Sequence, residues 1–401
     1  MVEVTGIGVV SPHGDDAAAM FDALMRGESA IRPVFPELPK PAAAACVSFD
    51  PLRWFTKLQL VGVDKVSQLA VAAATLALRD AGIERFTDPT RVGLYVGCGM
   101  GGAAALESAY RSGGRVPPLT IPSFMPNAPA SQIALRHGVQ GPVLTYSVAC
   151  ASSSIAIAEA AAAVARGDID LAIAGGSEAL IVPGVVLAWQ ALQTLAALAP
   201  GEEARACRPF AADRSGFVLG EGAAFTVLEA SAQRQARGGR AYAQLAGWGL
   251  SCDAVHLTKP DVAGQQRAIR QALQRAHLQP ADIGYCNAHG TATLIGDVVE
   301  ADALAGIWGE RLADLRVSST KSMHGHLLGA AGALEAVITI LALHQRRLPP
   351  NFPGTPGAMR DPRCALTLVE AAGAQADDLQ AAISNSFAFG GTNSTLVFTR
   401  A

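Results

Sequence analysis

Several familiar signatures are missing from this sequence, and each absence removes a class of function. Seven cysteines stand at positions 46, 98, 150, 207, 252, 286 and 364 with no CxxC pair and no other ligand spacing, so no metal site is expected and a reducing cytosol fits best. There is no excess of one charge. The formal net charge of −3 argues against a nucleic acid or an anionic membrane as the main partner. No basic segment followed by an apolar core opens the chain, so no signal peptide is read and a cytoplasmic location is expected. No apolar run is uninterrupted either: Ala179 to Ala199 approaches membrane-spanning length, but Pro183, Gly184, Gln190, Gln193 and Thr194 break it. It is expected to be buried protein interior. The glycine-rich turn from Gly97 to Gly102 lacks the GxGxxG order and a following acidic ribose contact, which removes a dinucleotide site.

What is present is a long, apolar chain. Its 401 residues, half of them hydrophobic, suffice for two domains or one large two-part fold with a sizeable core. Val2 to Val10 reads as a buried strand broken by Gly6 and Gly8, followed by turn and cap residues and a helix through Met25. Asp64 to Asp80 has helical spacing, Val92 to Val96 reads as a strand, and Arg115 to Pro129 is too irregular for a core element. Strand, helix and strand then follow within Leu144 to Ala174, the unit of a parallel sheet. Later, Leu245-Ala246-Gly247-Trp248-Gly249-Leu250-Ser251 echoes Val4 to Ser11, as a duplicated α/β fold would. The division is placed near residue 240, giving halves of 1–240 and 241–401.

The stretch Leu144 to Ala165 places Cys150 at a corner between strand and helix. A thiol at a helix N-terminus faces unpaired N–H groups and the positive end of the helix dipole, which favour thiolate over thiol. Ser152, Ser153 and Ser154 are positioned to cap that turn. A buried structural cysteine is the competing reading. Three polar stretches in the second half follow apolar, strand-like runs: Asn287 to Thr293, Ser318 to His326 and Ser384 to Asn393. In open α/β sheets such loops sit at the carboxyl ends of strands, where ligands gather. One cysteine, two glycine-flanked histidines and a lysine in those settings form a nucleophile with acid, base and oxyanion partners.

With those residues in place, TYSVACASSS with AGGSEA, PFAADRSGFVLGEGAA, NAHGTATLIGD, STKSMHGHLLGAAGALEA and SNSFAFGGTN resemble, in order, the motifs of the β-ketoacyl-acyl-carrier-protein synthases. The resemblance runs from residue 2 to residue 398. It implies the thiolase-like fold, five αβαβα layers in two similar halves, and an acyltransferase that condenses malonyl-carrier protein with an acyl chain held on Cys150. By the same resemblance His289 and His326 are the active-site histidines and Lys321 a supporting cation with Glu335 as its buried partner. The backbone N–H groups of Cys150 and Phe389 are the oxyanion donors, with Phe387, Phe389 and Gly390 around the gate of the acyl pocket. Thr258, Thr291 and Thr293 meet the phosphopantetheine arm, which the carrier brings, so the enzyme needs no cofactor of its own. Met100, Leu180 and Trp189 line the acyl pocket, and Trp189 is larger than the phenylalanine expected there, which suggests a short pocket or one shaped for a flat unsaturated chain.

Four positions depart from the family pattern: His324 for a small hydroxyl residue, Ala388 for glycine, Leu294 for proline and Ala211 for aspartate. The resemblance implies an acyl-carrier protein as partner, and a homodimer or a heterodimer with a chain-length-factor homologue. Because carrier proteins are acidic, a basic docking patch is expected from Arg53, Lys57, Lys65, Arg111 and Arg115. The alternative within the family is a specialised ketosynthase of an aryl polyene or polyketide pathway. A degradative thiolase would show a C-terminal catalytic cysteine, and Cys364 lies outside any glycine loop; a purely structural subunit would lack Cys150.

Overall fold

The computed structural model describes residues 1–351, 360–370 and 373–401. The first half runs β1 (Val2–Val10), α1 (Lys65–Asp80), β2 (Val92–Gly97), β3 (Val143–Tyr146), α2 (Ser152–Arg166), β4 (Leu171–Glu178) and β5 (Gly222–Ala230). The second half repeats the plan with β6 (Ala243–Cys252), α3 (Val262–Ala276), β7 (Tyr285–Asn287), α4 (Gly296–Trp308), β8 (Arg316–Ser318), α5 (Ala331–Gln345), β9 (Thr367–Leu368), β10 (Ala381–Phe387) and β11 (Thr392–Arg400). Strand order is β9-β8-β7-β10-β11-β6-β1-β5-β4-β2-β3, so each half arranges its strands alike on either side of the β6–β1 junction. In each half the inner strands are antiparallel and the outer ones parallel. The junction itself is two residue pairs, Glu3 with Gln244 and Val4 with Ala243.

Helices α2 and α5 lie between the half-sheets, each touching strands of both, while α1 covers the outer face of the first and α3 that of the second. The result is five αβαβα layers. A helix sandwiched between two sheets and a second helix needs a thin cross-section, which explains the alanine content of α2. In α5 every residue from Ala331 to Leu343 is buried. The segment Leu328–Gln345 is long and apolar enough to cross a membrane, yet 89% of it is buried inside the protein, where it is the central core helix.

The echo between β1 and β6 has a steric cause. A Cβ on Gly6 or Gly8 would fall 2.3 Å from the Ala77 carbonyl and 2.2 Å from the Ala73 carbonyl, both in α1. On Gly247 and Gly249 it would fall 2.3 Å from the Ala272 carbonyl and 1.9 Å from the Ala268 carbonyl, both in α3. In both halves a glycine pair lets a helix backbone lie directly on its strand.

Three expectations are corrected. Ala179 to Ala199 is not interior: Ala179, Leu180 and Val186 are buried, but Leu187 and Leu192 are 41% and 47% exposed and the helix Pro183–Ala191 lies at the surface. Arg115 to Pro129 contains a short helix, Thr120–Phe124, and the start of a second, Ala128–His137. The serines after Cys150 do not cap their helix. The Ser152 hydroxyl accepts from the Val148 N–H and donates to the Ala149 carbonyl, Ser153 accepts from the Ala333 N–H, and Ser154 pairs with Ser394. Ser153 and Ser154 tie α2 to the second half instead.

Gly249→Ala should lower stability by about 2 kcal/mol or more, because the added methyl meets backbone that cannot move away. Urea denaturation measures this; an unchanged midpoint would contradict the packing described.

Candidate active site

The nucleophile candidate stands where β3 has ended and α2 has not yet begun. A single turn, Ala149–Ala151, carries Cys150, and Ala149 is left-handed at φ 49°, a strain of roughly 1 to 3 kcal/mol that aims the following side chain into the cavity. The corner was legible in the sequence. The other groups come from the second half: His289 just after β7, His326 between β8 and α5, and Lys321 at the start of the short helix Lys321–His324. Cys150 Sγ and the nearest ring nitrogens of His289 and His326 lie within 4.8 Å of one another, and the two imidazoles cross edge-to-face with centroids 5.5 Å apart.

His326 Nε2 is 3.0 Å from the sulfur, and its Nδ1 accepts from the Leu328 N–H at 3.3 Å. A neutral ring that accepts at Nδ1 carries its proton on Nε2, so His326 donates to sulfur and does not serve as its base. Burial, and next the Lys321 charge, hold both histidines well below the usual histidine range, so both are neutral at physiological pH. At Cys150 the expectation of a ready thiolate is corrected. Burial pushes the thiol up to about 12; the Lys321 charge and the N–H groups of Phe389 and Cys150 pull the other way without overcoming it. The helix start was right, but the sulfur is buried and burial decides the direction of the shift. Those two N–H groups point at the sulfur, where an acyl oxyanion would form.

Lys321 and Glu335 are fully buried and in contact at 2.5 Å, the partnership expected from sequence. Lys321 Nζ also donates to the His289 carbonyl at 2.6 Å. Burial raises the Glu335 carboxyl to about 7, and Lys321 pulls it back. Two further carboxylates escaped notice. Glu300 in α4 accepts from the N–H groups of His289 at 2.9 Å and Gly290 at 2.7 Å, and from Asn385 at 3.2 Å, so it fixes the loop that presents the imidazole. Glu178 at the end of β4 accepts from Gly99 at 2.8 Å and Gly329 at 2.9 Å, joining the glycine turn of one half to the His326 segment of the other. Glu300 stands in the second turn of α4, three residues after the first-turn acid Asp297, and no motif spacing marked it. His324 is buried and neutral, its Nδ1 donating to the Gly325 carbonyl and its Nε2 accepting from Thr320, so it braces the loop without facing the sulfur.

A cavity of about 240 Å³ opens in front of Cys150, with His289, His326, Thr258, Thr291, Thr293, Phe387, Phe389 and Trp189 in its wall. Thr291 and Thr293 share a 3.0 Å hydrogen bond, and Phe217 stacks edge-on against both His326 and Trp189 at 5.4 Å. Gly390 donates its N–H to the Leu257 carbonyl beside this wall. The sequence-assigned acyl pocket is not assembled as expected. Leu180 is buried in the packing around Cys150 without reaching the cavity wall, and Met100 lines a separate apolar groove of about 830 Å³ that also meets Trp189. Both stand on turns just past strand ends, whose directions motif order does not encode.

The basic patch is largely self-neutralised. Arg53 pairs with Asp15, Lys65 with Glu221 and Arg111 with Glu107, leaving Lys57 and Arg115 without an ion pair among the described residues.

Two measurements check this geometry. Because burial raises the thiol, few molecules are ionised below its pKa, so Cys150 alkylation should still be accelerating at pH 9; a plateau reached near pH 7 would contradict it. Glu335→Ala should cost about 3 to 5 kcal/mol by stranding a buried cation, and Lys321→Met with Glu335→Met should recover much of that stability without recovering activity. Equal stabilities of the single and double variants in thermal unfolding would show that the pair is not coupled.

Comparison with known proteins agrees with this construction. Residues 1–234 match the family described as the N-terminal domain of beta-ketoacyl synthase, and residues 242–355 match its C-terminal domain. The chain is 39% identical to nodulation protein E of Rhizobium meliloti, over 99% of this chain and 98% of that protein. It is 36% identical to 3-oxoacyl-[acyl-carrier-protein] synthase 2 of Staphylococcus aureus (strain N315), over 100% and 98%. A solved structure described as the ishigamide ketosynthase/chain length factor superposes with a TM-score of 0.90 at 31% identity, covering 100% of this chain and 99% of that one. With a cysteine and two histidines converging from duplicated halves, and both family domains spanned in order, the chain belongs to the β-ketoacyl synthase family.

Proposed function

We propose that this chain is a 3-oxoacyl-[acyl-carrier-protein] synthase, an acyltransferase that lengthens a carrier-bound acyl chain by two carbons. The observation that carries this is the meeting of Cys150, His289 and His326 within 4.8 Å at the floor of one cavity. In the first half-reaction the Cys150 sulfur attacks the thioester carbonyl of acyl-carrier protein. The oxyanion is held by the N–H groups of Cys150 and Phe389; its collapse expels the carrier thiolate, and the proton lost by Cys150 ends on that thiol. In the second, malonyl-carrier protein breaks its C–C bond to release CO₂, and the electron pair moves to the thioester as an enolate. Neutral imidazoles presenting N–H to the thioester oxygen stabilise that charge, and His326 already has its proton on the cavity side. The enolate carbon then attacks acyl-Cys150, expels the thiolate and leaves as the 3-oxoacyl thioester.

Lys321 and Glu335 act as positioning residues through the His289 carbonyl. Thr258, Thr291 and Thr293 form the wall along which a pantetheine arm passes, and Phe387, Phe389 and Gly390 stand at its gate. Trp189 closes the cavity against the groove of Met100, which supports a short or flat acyl chain. Division near residue 240 into two halves is supported by the repeated strand plan. The partner is an acyl-carrier protein, with no separate cofactor. A second copy or a chain-length-factor homologue completes the assembly, consistent with the exposed apolar edge strand carrying Val143 and Leu144 at 38% and 45%. All seven cysteines are free, as in a reducing cytoplasm. Likeness to a ketosynthase/chain length factor keeps a specialised polyketide role as the second reading.

His289→Ala should still take an acyl group onto Cys150 while decarboxylation falls by about 10² to 10³. Mass spectrometry of the trapped acyl-enzyme reads both the bond and the chain; condensation at the wild-type rate would overturn the assignment.

A further inference from the structure

The cavity has an inner and an outer chemistry. Its floor is buried: Cys150, His289, His326 and Glu300, the last already engaged by backbone N–H groups. Its rim is exposed, formed by Leu257, Leu294 and Ile295 at 74%, 58% and 54%, with Lys259 beside them. Between the two stand Thr258, Thr291 and Thr293. Among the described residues Lys259 is the one lysine or arginine in that lining, and none of their ion pairs involves it.

Its backbone is held in place. The His256 Nδ1 accepts from the N–H groups of Thr258 at 3.1 Å and Lys259 at 3.3 Å. Asp253 accepts from Asp261 N–H at 3.0 Å, and the Leu257 carbonyl accepts from Gly390 at 2.7 Å. A lysine anchored at both sides but unpaired at its tip presents a fixed charge with a mobile reach.

We propose that Lys259 binds the phosphodiester at the outer end of the carrier's phosphopantetheine arm, making the enzyme selective for phosphorylated pantetheine thioesters. The chemistry of the arm runs in the same order as the cavity. Its thioester belongs at Cys150 and its amides beside the three threonines. Its dimethyl-branched carbon fits the aliphatic rim, and the adjacent phosphate monoanion fits the one free cation of the lining. Nothing else in that lining supplies a formal positive charge for it.

This rests on the condensing reaction proposed above, and the test separates the two. Initial rates are measured with acyl-phosphopantetheine, acyl-pantetheine lacking phosphate, and acyl-carrier protein, for wild type, Lys259→Gln and Lys259→Arg. The readout is the ratio of kcat/KM for the phosphorylated over the phosphate-free thioester. Lys259→Gln should lower that ratio about two- to fivefold, through KM, the size of one exposed charge contact. Lys259→Arg should keep it, and added salt should erode it in the wild type. An unchanged ratio in Lys259→Gln overturns the inference while the condensing activity stands. So does a loss confined to the carrier-linked substrate, which would assign Lys259 to acidic side chains of the carrier. Absence of condensation by the wild type with all three thioesters would instead remove the reading beneath it.

Discussion

The site depends on one buried cation. Lys321 has no solvent exposure, touches Glu335 of the central helix and donates to the carbonyl of His289. Burial holds His289 and His326 neutral and the Lys321 charge adds to that effect, while at Cys150 the same charge opposes the burial that raises the thiol. A lysine in such a place is costly unless its partner is supplied by rigid structure, and α5, sealed between two sheets, is buried from Ala331 to Leu343. The positive field is therefore fixed before any substrate arrives, which is what stabilising a transient enolate requires.

Around that cation the fold brings together segments far apart in sequence. The first half provides the sulfur on a strained turn and Glu178; the second provides both imidazoles, the lysine, Glu300 and Glu335. Left-handed residues recur at the joints: Ala149 before the cysteine, Ala292 between the two threonines and Leu328 after His326. Each is a non-glycine residue in a conformation that surrounding packing must enforce. The serines of α2 contribute to that enforcement by bonding across to the second half, a use of Ser153 and Ser154 that no local rule predicts.

Much of this was readable from residue order. Strand β1, helix α1 and the corner at Cys150 follow from periodicity and turn residues, and the glycine echo of β1 in β6 reports a real equivalence, because both strands carry a helix on bare backbone. The motif series located Cys150, His289, Lys321, His326 and Glu335 without coordinates. What failed depended on depth and direction. A helix start suggested a thiolate, but burial raises the Cys150 thiol. An apolar run at Ala179 to Ala199 suggested interior, but the fold leaves Leu187 and Leu192 on the surface. Met100 and Leu180 follow the motif order yet do not line the cavity, and three of the five charges chosen for docking find acids nearby.

The central claim is that an acyl group on Cys150 has its oxygen held by two backbone N–H groups while two neutral imidazoles face it. The most direct measurement is a crystal structure of the protein acylated at that sulfur. The predicted result places the acyl oxygen within hydrogen-bonding distance of the Cys150 and Phe389 nitrogens, with His289 and His326 bordering the open volume before the carbonyl carbon. An oxygen turned away from those nitrogens, or imidazoles withdrawn behind the acyl chain, would contradict it.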